Sequence, residues 1–170
     1  MSATFSRMMA ELAGWCVMNN IFNTSFEISL RVLLTLESAP LQWWTADLIA
    51  ASDFITVYSG DFDIASENLH GVNSFKYSEF ALRREMVKEA LKALVARKLA
   101  DVKLDQDGFV YTLSKSGGDY CGKIESSYAQ SYRELAATVR GSFADKTDRE
   151  ILRLINRNSI SSLRGGNYNG

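Results

Sequence analysis

The stretch SEFALRREMVKEALKALVARKLADVKLDQDGFVYTL, residues 78–113, decides the fold that the sequence predicts. Its first part has the spacing of a long helix, with an apolar side made of Phe80, Val87, Leu91, Leu94 and Val95. Two short β-type runs follow, residues 102–104 and 109–113, joined by a tight turn in which a glycine supplies the positive φ. A long helix that leads into a hairpin is the order of a groove-reading helix and its wing.

Two further helices are predicted upstream of this stretch. The first begins after Thr24, and the spacing from Thr24 to Glu27 fits a capping box. The second begins after Thr45, with Asp47 in its first turn, where a carboxylate suits the helix dipole. Residues 60–77 have no periodicity and are predicted to form a loop that is long for a compact domain.

The pattern turns helical again after residue 115. We therefore expect a mainly α fold with a small β-hairpin (α+β), in which a winged-helix core carries flanking N- and C-terminal helices. The expected parts are an N-terminal amphipathic helix in residues 1–20, a winged-helix domain in residues 21–115, C-terminal helices packed on it in residues 116–157, and a disordered tail in residues 158–170.

Composition narrows the class of protein. The 170 residues carry a formal net charge of −1, whereas a dedicated nucleic-acid binder shows a basic excess. Two isolated cysteines, Cys16 and Cys121, form neither a zinc motif nor a disulfide framework and fit a reduced, cytoplasmic protein. Arg7 and Glu11 interrupt any signal-peptide core, and no apolar run approaches the ~18 residues of a membrane span.

The segment SGGDYCGKI, residues 116–124, has the outline of a phosphate-binding P-loop. A P-loop needs a hydroxyl after its lysine to bind Mg²⁺, and Ile124 stands there instead. Asp119 would place a negative charge beside the phosphates, and the preceding strand belongs to a hairpin rather than to a buried parallel sheet. We therefore expect no nucleotide and no other cofactor, and interpret residues 114–118 as the connection from the hairpin into a helix.

Other candidate chemistry is weak. His70 is the single histidine and has no nucleophile motif to serve, so a structural or surface role is expected. Asp61 and Asp63 lie two residues apart in the predicted loop, where solvated carboxylates are more common than metal ligands. The sequence therefore predicts a protein that is not an enzyme and has no catalytic or metal site.

Two surfaces are candidates for contacts with other molecules. Basic side chains recur along the long helix and form a possible DNA or acidic-partner surface: Arg83, Arg84, Lys88 and Lys92. Their spacing from Glu85 and Glu89 leaves a merely solvated helix face as the alternative. Possible partner anchors are apolar, and packing on the protein's own core is their alternative: Phe5, Met8, Leu12, Trp15, Trp43 and Trp44. Trp43 and Trp44 cannot easily both point inward, so one is expected in the core and the other at a contact.

Several pieces of the chain resemble one family: NTSFEISLRVLLTL, ASDFITVYSGDF, SEFALRREMVKEALKALVARKLADV, LSKSG and SSYAQSYRELA, within residues 21–145. Their pattern resembles the small middle component of ABC three-component systems, the Lamassu-type bacterial defence systems. The resemblance implies a non-enzymatic adaptor that joins an SMC- or Rad50-like ATPase to an effector such as a nuclease, in anti-phage or anti-plasmid defence. DNA would be contacted weakly or through the complex, and no membrane is involved.

Two other functions stay open at this point. One is a stand-alone winged-helix transcription regulator, which the long helix and hairpin would suit but the near-neutral charge does not favour. The other is a small nucleotide hydrolase, which the departures from the P-loop pattern oppose.

Overall fold

The fold is mainly helical with a small antiparallel sheet, as the sequence predicted. The computed structural model describes residues 24–106 and 108–165. In order, the elements are α1 (Ser25–Glu37), β1 (Trp44–Thr45), α2 (Ala46–Val57), a 3-10 turn (Ser59–Phe62), α3 (Lys76–Ala96), β2 (Ala100–Asp105), β3 (Gly108–Leu113), α4 (Lys115–Cys121), α5 (Ser127–Ser142) and α6 (Asp148–Gly165). None of the described helices is long and apolar enough to cross a membrane.

Both predicted helix caps are present. The Glu27 N–H donates to Thr24 Oγ1 and the Thr24 N–H donates to Glu27 Oε2, each over 3.2 Å, which completes the capping box of α1. Thr45 Oγ1 accepts a hydrogen bond of 3.1 Å from the N–H of Leu48 at the start of α2. Local sequence signals therefore define where these two helices begin.

The sheet has the strand order β1-β3-β2, and both pairings are antiparallel. Trp44 of β1 lies opposite Tyr111, and Leu104 of β2 lies opposite Phe109. Gly108 has a φ of 115° at the hairpin turn, and a residue with a side chain would be strained in this conformation. Among the described residues no strand pairs with the outer side of β2, so β2 is an edge strand.

The core is built around α2, which packs against α1, α3, α5 and α6. Ile49, Phe54 and Ile55 of α2 are fully buried. On α3 the predicted apolar side faces the same core, with Val87 and Leu91 fully buried. A helix surrounded on several sides needs apolar side chains around most of its circumference, which accounts for the continuous apolar run in α2.

Two boundaries differ from the prediction. Helix α3 begins at Lys76 rather than at Ser78, and its first turn has no side-chain cap from residue 75. A short 3-10 turn, Ser59–Phe62, interrupts the predicted loop.

The predicted tail is also different, because α6 continues to Gly165 where disorder was expected from residue 158. A capping box starts this helix, since the N–H of Thr147 donates to Glu150 Oε2 over 2.7 Å. Ile151 and Ile155 are buried, and the polar side of the helix borders a groove of about 420 Å³ that Asp61 and Lys76 also line. Residues 158–165 of the predicted tail are therefore helical, and residues 166–170 lie outside the described residues.

Candidate functional site

The outer face of α3 carries the basic side chains predicted to meet DNA or an acidic partner. Arg84 donates from Nε and Nη2 to the two carboxylate oxygens of Asp47, over 3.0 and 2.7 Å. Lys88 Nζ lies 2.8 Å from Glu85 Oε1, and Lys92 Nζ lies 2.6 Å from a carboxylate oxygen of Glu89. Each of these three cations therefore has an acidic partner, and the face shows little excess positive charge.

Arg83 does not lie on that face. Its side chain is 3% exposed, and Nη1 donates to Asp53 Oδ2 over 2.9 Å. The guanidinium group also lies over the rings of Phe54 and Tyr58, with its carbon 5.7 and 5.8 Å from their centroids. Arg83 points into the core, where it pairs with the buried carboxylate of Asp53. It is therefore not accessible to a phosphate or to an acidic partner.

Asp53 is the centre of a buried polar network that joins four helices. Its carboxylate accepts 2.8 Å hydrogen bonds from Arg31 Nε on α1 and from the Tyr132 hydroxyl on α5, besides the bond from Arg83 on α3. The Thr35 hydroxyl lies 2.8 Å from the Tyr132 oxygen and donates to it, since Tyr132 gives its own proton to Asp53. Burial opposes ionisation of Asp53, but the charges of Arg31 and Arg83 outweigh it and lower the pKa to about 2.

Among the described residues, two guanidinium groups donate to the Asp53 carboxylate. Arg83 Nη2 is buried and finds no hydrogen-bond acceptor among the described residues. All donors to Asp53 come from side chains fixed in packed helices, and Arg31, Asp53 and Tyr132 are at most 2% exposed. An arrangement so enclosed orients helices rather than binding a substrate.

The two tryptophans separate as expected, one into the core and one to the surface. Trp44 is 5% exposed, so it packs inside, whereas Trp43 is 40% exposed. Lys103 Nζ lies 4.2 Å from the centre of one ring of Trp43, a cation–π contact across the sheet. Trp43 is thus the member of the predicted tryptophan pair that a partner can reach, and Leu41, which was not predicted as an anchor, is also exposed.

The hairpin carries a second exposed apolar surface, here named the hairpin patch, formed by Val102, Leu104 and Phe109. Leu104 is 73% exposed and Phe109 is 63% exposed. Residues opposite each other in an antiparallel pair lie on the same face, so Leu104 and Phe109 form one row and Val102 lies next to it. Sequence reasoning missed this patch, although charged and apolar residues alternate in DVKL, residues 101–104.

The glycine-rich segment is a helix start, as predicted, and not a phosphate loop. Ser114 caps α4 by accepting the N–H of Gly117 over 2.9 Å, and its hydroxyl donates to the Lys98 carbonyl over 2.7 Å. A Cβ at residue 117 would collide with the carbonyl oxygen of Leu99. The glycine is therefore required by close backbone packing, not by an anion.

His70 is held by aromatic neighbours. Its Nε2 lies 2.7 Å from the hydroxyl of Tyr128, and its ring meets the Tyr58 ring edge-on. Burial, with a further contribution from Arg31, lowers the pKa of His70 to about 4, so the ring is neutral at physiological pH. These contacts give His70 the structural role that was expected of it.

One carboxylate of the 60–77 segment, that of Asp61, has two side-chain partners. Asp61 Oδ2 lies 2.9 Å from Lys76 Nζ and accepts from the side-chain amide of Asn68 over 2.7 Å. Asp63 occupies a left-handed turn conformation with a φ of 57°. Within residues 24–106 and 108–165 there is no group of three or more side chains that could hold a metal ion.

A comparison with family models decides what kind of protein this is. The family described as "ABC-three component (ABC-3C) system Middle Component 2" matches residues 21–165. The chain belongs to this family. No curated protein and no solved structure matches it. As a middle component of a multi-subunit ABC-3C system, it works with partner proteins.

In this ABC-3C middle component, part of the predicted anchor surface cannot be located. Phe5, Met8, Leu12 and Trp15 lie outside the described residues. The buried network, by contrast, is well described but was missed by sequence reasoning. The available signal was a charge inside an apolar run: Arg31 interrupts LRVLLTL and Asp53 interrupts IAASDFITV. A charge on a buried helix face must have a partner, which the sequence alone does not identify.

Proposed function

We propose that this middle component is a non-enzymatic adaptor that joins an SMC/Rad50-like ABC ATPase to an effector subunit such as a nuclease. The system would be a Lamassu-type defence system acting in the cytoplasm against phage or plasmids. Family membership supports the proposal, because a middle component needs other components to act with.

The observation that carries the adaptor role is the contrast between the charged and apolar surfaces. The cations on the outer face of α3 are neutralised by Asp47, Glu85 and Glu89. Large apolar side chains, in contrast, remain exposed at several places, among them Leu41, Trp43 and the hairpin patch. Exposed aromatic and aliphatic anchors favour protein contacts, whereas DNA binding needs unpaired cations.

We further propose that the order α1-β1-α2-α3-β2-β3 is a winged helix adapted to protein contacts. In a stand-alone regulator, α3 would enter the major groove with free basic side chains. Here DNA is contacted weakly, without sequence preference, or through the assembled complex. Nonspecific affinity should be on the order of 10⁻⁴ to 10⁻⁶ M at physiological salt.

The test is co-expression with the ATPase and effector of the same system, followed by size-exclusion chromatography. Wild type should co-elute with the ATPase, and Trp43→Ala should weaken the complex at least tenfold, about 2 kcal/mol for a central anchor. Deletion of residues 1–20 tests the undescribed anchors in the same way. The matched control is Lys88→Glu with Lys92→Glu, which stays on the exposed face of α3 and should alter mainly the association rate.

Three results would contradict the proposal. If wild type never co-elutes with any co-encoded protein, the adaptor role fails. If the folded lysine variant loses the ATPase while Trp43→Ala and the deletion keep it, the wrong surface has been chosen. Nanomolar, sequence-specific binding to duplex DNA by the chain alone would favour the regulator instead.

A further inference from the structure

The outer side of β2 is a strand edge with features that invite pairing. Residues 101–105 are all exposed, and the hairpin register runs without a bulge from Ala100 to Asp105. Proteins usually protect such edges with proline, a bulge, a covering element or charged side chains, because free N–H and C=O groups recruit another strand. Among the described residues, no proline, bulge or covering element protects β2, and its own charges, Asp101, Lys103 and Asp105, leave it open to a strand with complementary charges.

The side chains of β2 are divided by face. Val102 and Leu104 lie on the apolar face, in the rows of Tyr111 and Phe109. The opposite face carries charges of alternating sign, in the order Asp101, Lys103 and Asp105. A strand that pairs with this edge must therefore offer apolar side chains on one face and complementary charges on the other.

We infer that β2 pairs antiparallel with β2 of a second copy of this chain, with Leu104 opposite Leu104 on the two-fold axis. In this register Lys103 lies opposite Asp105 of the second copy, and the same ion pair recurs by symmetry. On the apolar face the side chains line up across four strands as Phe109, Leu104, Leu104 and Phe109.

Register selects this arrangement over its neighbour at the same edge. With Lys103 on the axis instead, Asp101 would lie opposite Asp105 of the second copy, and the two lysines would face each other. Such like-charge pairs disfavour that register. The pairing with Leu104 on the axis also joins the two hairpins near their tips, which keeps the helical parts of the two copies apart.

The dimer is expected to be weak. Two hairpin ends bury less surface than a stable interface of standard size, so a dissociation constant in the micromolar range is expected. Lys103 exchanges its contact with the exposed Trp43 ring for the ion pair with the second copy. The inference does not depend on the adaptor role, and the dimer itself is measured on the full chain alone.

A charge-exchange experiment tests the second copy as occupant. Sedimentation velocity from about 1 µM to about 1 mM should show wild type passing from monomer to dimer. Lys103→Glu and Asp105→Lys should each lose the dimer, because each places like charges opposite one another. Mixed together, the two single variants should dimerise with each other, since both opposed pairs become complementary. The double variant should also recover the dimer.

Cysteine cross-linking tests the register. Leu104→Cys brings two thiols opposite each other at a Cα separation of about 4.5–5.5 Å, which a disulfide can bridge. Mild oxidation should therefore cross-link this variant. Val102→Cys is the matched control, because in the proposed register its thiol lies opposite Gln106 of the second copy and should stay at the wild-type background.

Several outcomes would overturn the inference. Wild type that stays monomeric at about 1 mM excludes the second copy. If Asp105→Lys also loses the co-expressed ATPase, the edge is assigned to a strand of that protein. Efficient cross-linking of Val102→Cys but not of Leu104→Cys would reject the proposed register in favour of one with Val102 on the two-fold axis. Failure of the mixed variants to associate would show that the opposed charges are not in contact.

Discussion

Asp53→Asn is the substitution that tests the buried network most directly. The carboxylate carries the negative charge that two buried guanidinium groups share, over 2.8 Å to Arg31 and 2.9 Å to Arg83. An amide of the same shape removes the charge and turns one acceptor into a donor that faces other donors. Both cations then lose the counter-ion that Asp53 provides.

The expected cost follows from this arrangement. Removing one partner of a buried ion pair costs about 3–5 kcal/mol, because the remaining charge stays desolvated. For a chain of this size, about 1 kcal/mol lowers the melting temperature by about 2–4 °C, so a fall of roughly 6–20 °C is expected. Thermal and urea unfolding followed by circular dichroism measure it.

Two variants keep this prediction specific. Asp47→Asn breaks the ion pair between Asp47 and Arg84. Because both side chains are 37% exposed, this substitution should lower the free energy of unfolding by less than about 1 kcal/mol. Arg83→Met removes one of the two cations, including the buried Nη2 that has no acceptor among the described residues, and leaves the Arg31–Asp53 pair intact. It should therefore cost less than Asp53→Asn. A cost of Asp53→Asn no larger than that of Asp47→Asn, or smaller than that of Arg83→Met, would refute the reasoning.

Three further predictions concern single groups. Burial lowers the pKa of His70 from 6.5 to about 4, so as the pH falls the unfolded chain binds a proton before the folded chain does, and stability should decrease from pH 6.5 towards pH 4. In a pH series of thermal melts, the melting temperature of His70→Gln should decrease less than that of wild type. Burial raises the pKa of the Cys121 thiol to about 12. In a Cys16→Ser variant, a thiol reagent should therefore react with Cys121 only after unfolding, and rapid reaction of the native protein would contradict this. In urea unfolding, Gly117→Ala should destabilise the fold, because the new Cβ collides with the carbonyl oxygen of Leu99. Gly118→Ala, whose Cβ would make an ordinary contact of 3.8 Å, should be neutral or stabilising by up to about 1 kcal/mol, and equal effects of the two substitutions would argue against close packing at Gly117.

The local features of the fold could be predicted from the sequence. Thr24 and Thr45 cap their helices through residues only three positions away, and the turn before Gly108 defines the hairpin. Capping and turn formation depend on neighbours in the chain, so they can be read without knowing the tertiary structure. Trp44 packs into the core and its neighbour Trp43 stays exposed, because two adjacent bulky side chains cannot easily both point inward.

The buried network could not be predicted because its members are far apart in the chain. Asp53 is 22 residues from Arg31, 30 from Arg83 and 79 from Tyr132. Arg83 was grouped with the basic side chains of the long helix, yet Arg83 and Arg84 point about 100° apart because they are adjacent helix positions. Which arginine turns inward depends on where α2 presents a carboxylate, and that is a property of helix packing rather than of either segment.

The network brings together segments that carry the resemblance to the family. FEISLR supplies Arg31, ASDFITV supplies Asp53, LRRE supplies Arg83 and SSYAQSYRELA supplies Tyr132, so four of these segments meet at one internal carboxylate. That contact is buried in the core, whereas the exposed side chains of Leu41, Trp43, Leu104 and Phe109 lie outside these segments. Substitutions at those exposed side chains should therefore alter partner binding in this chain while the buried contact, and with it the fold, is retained.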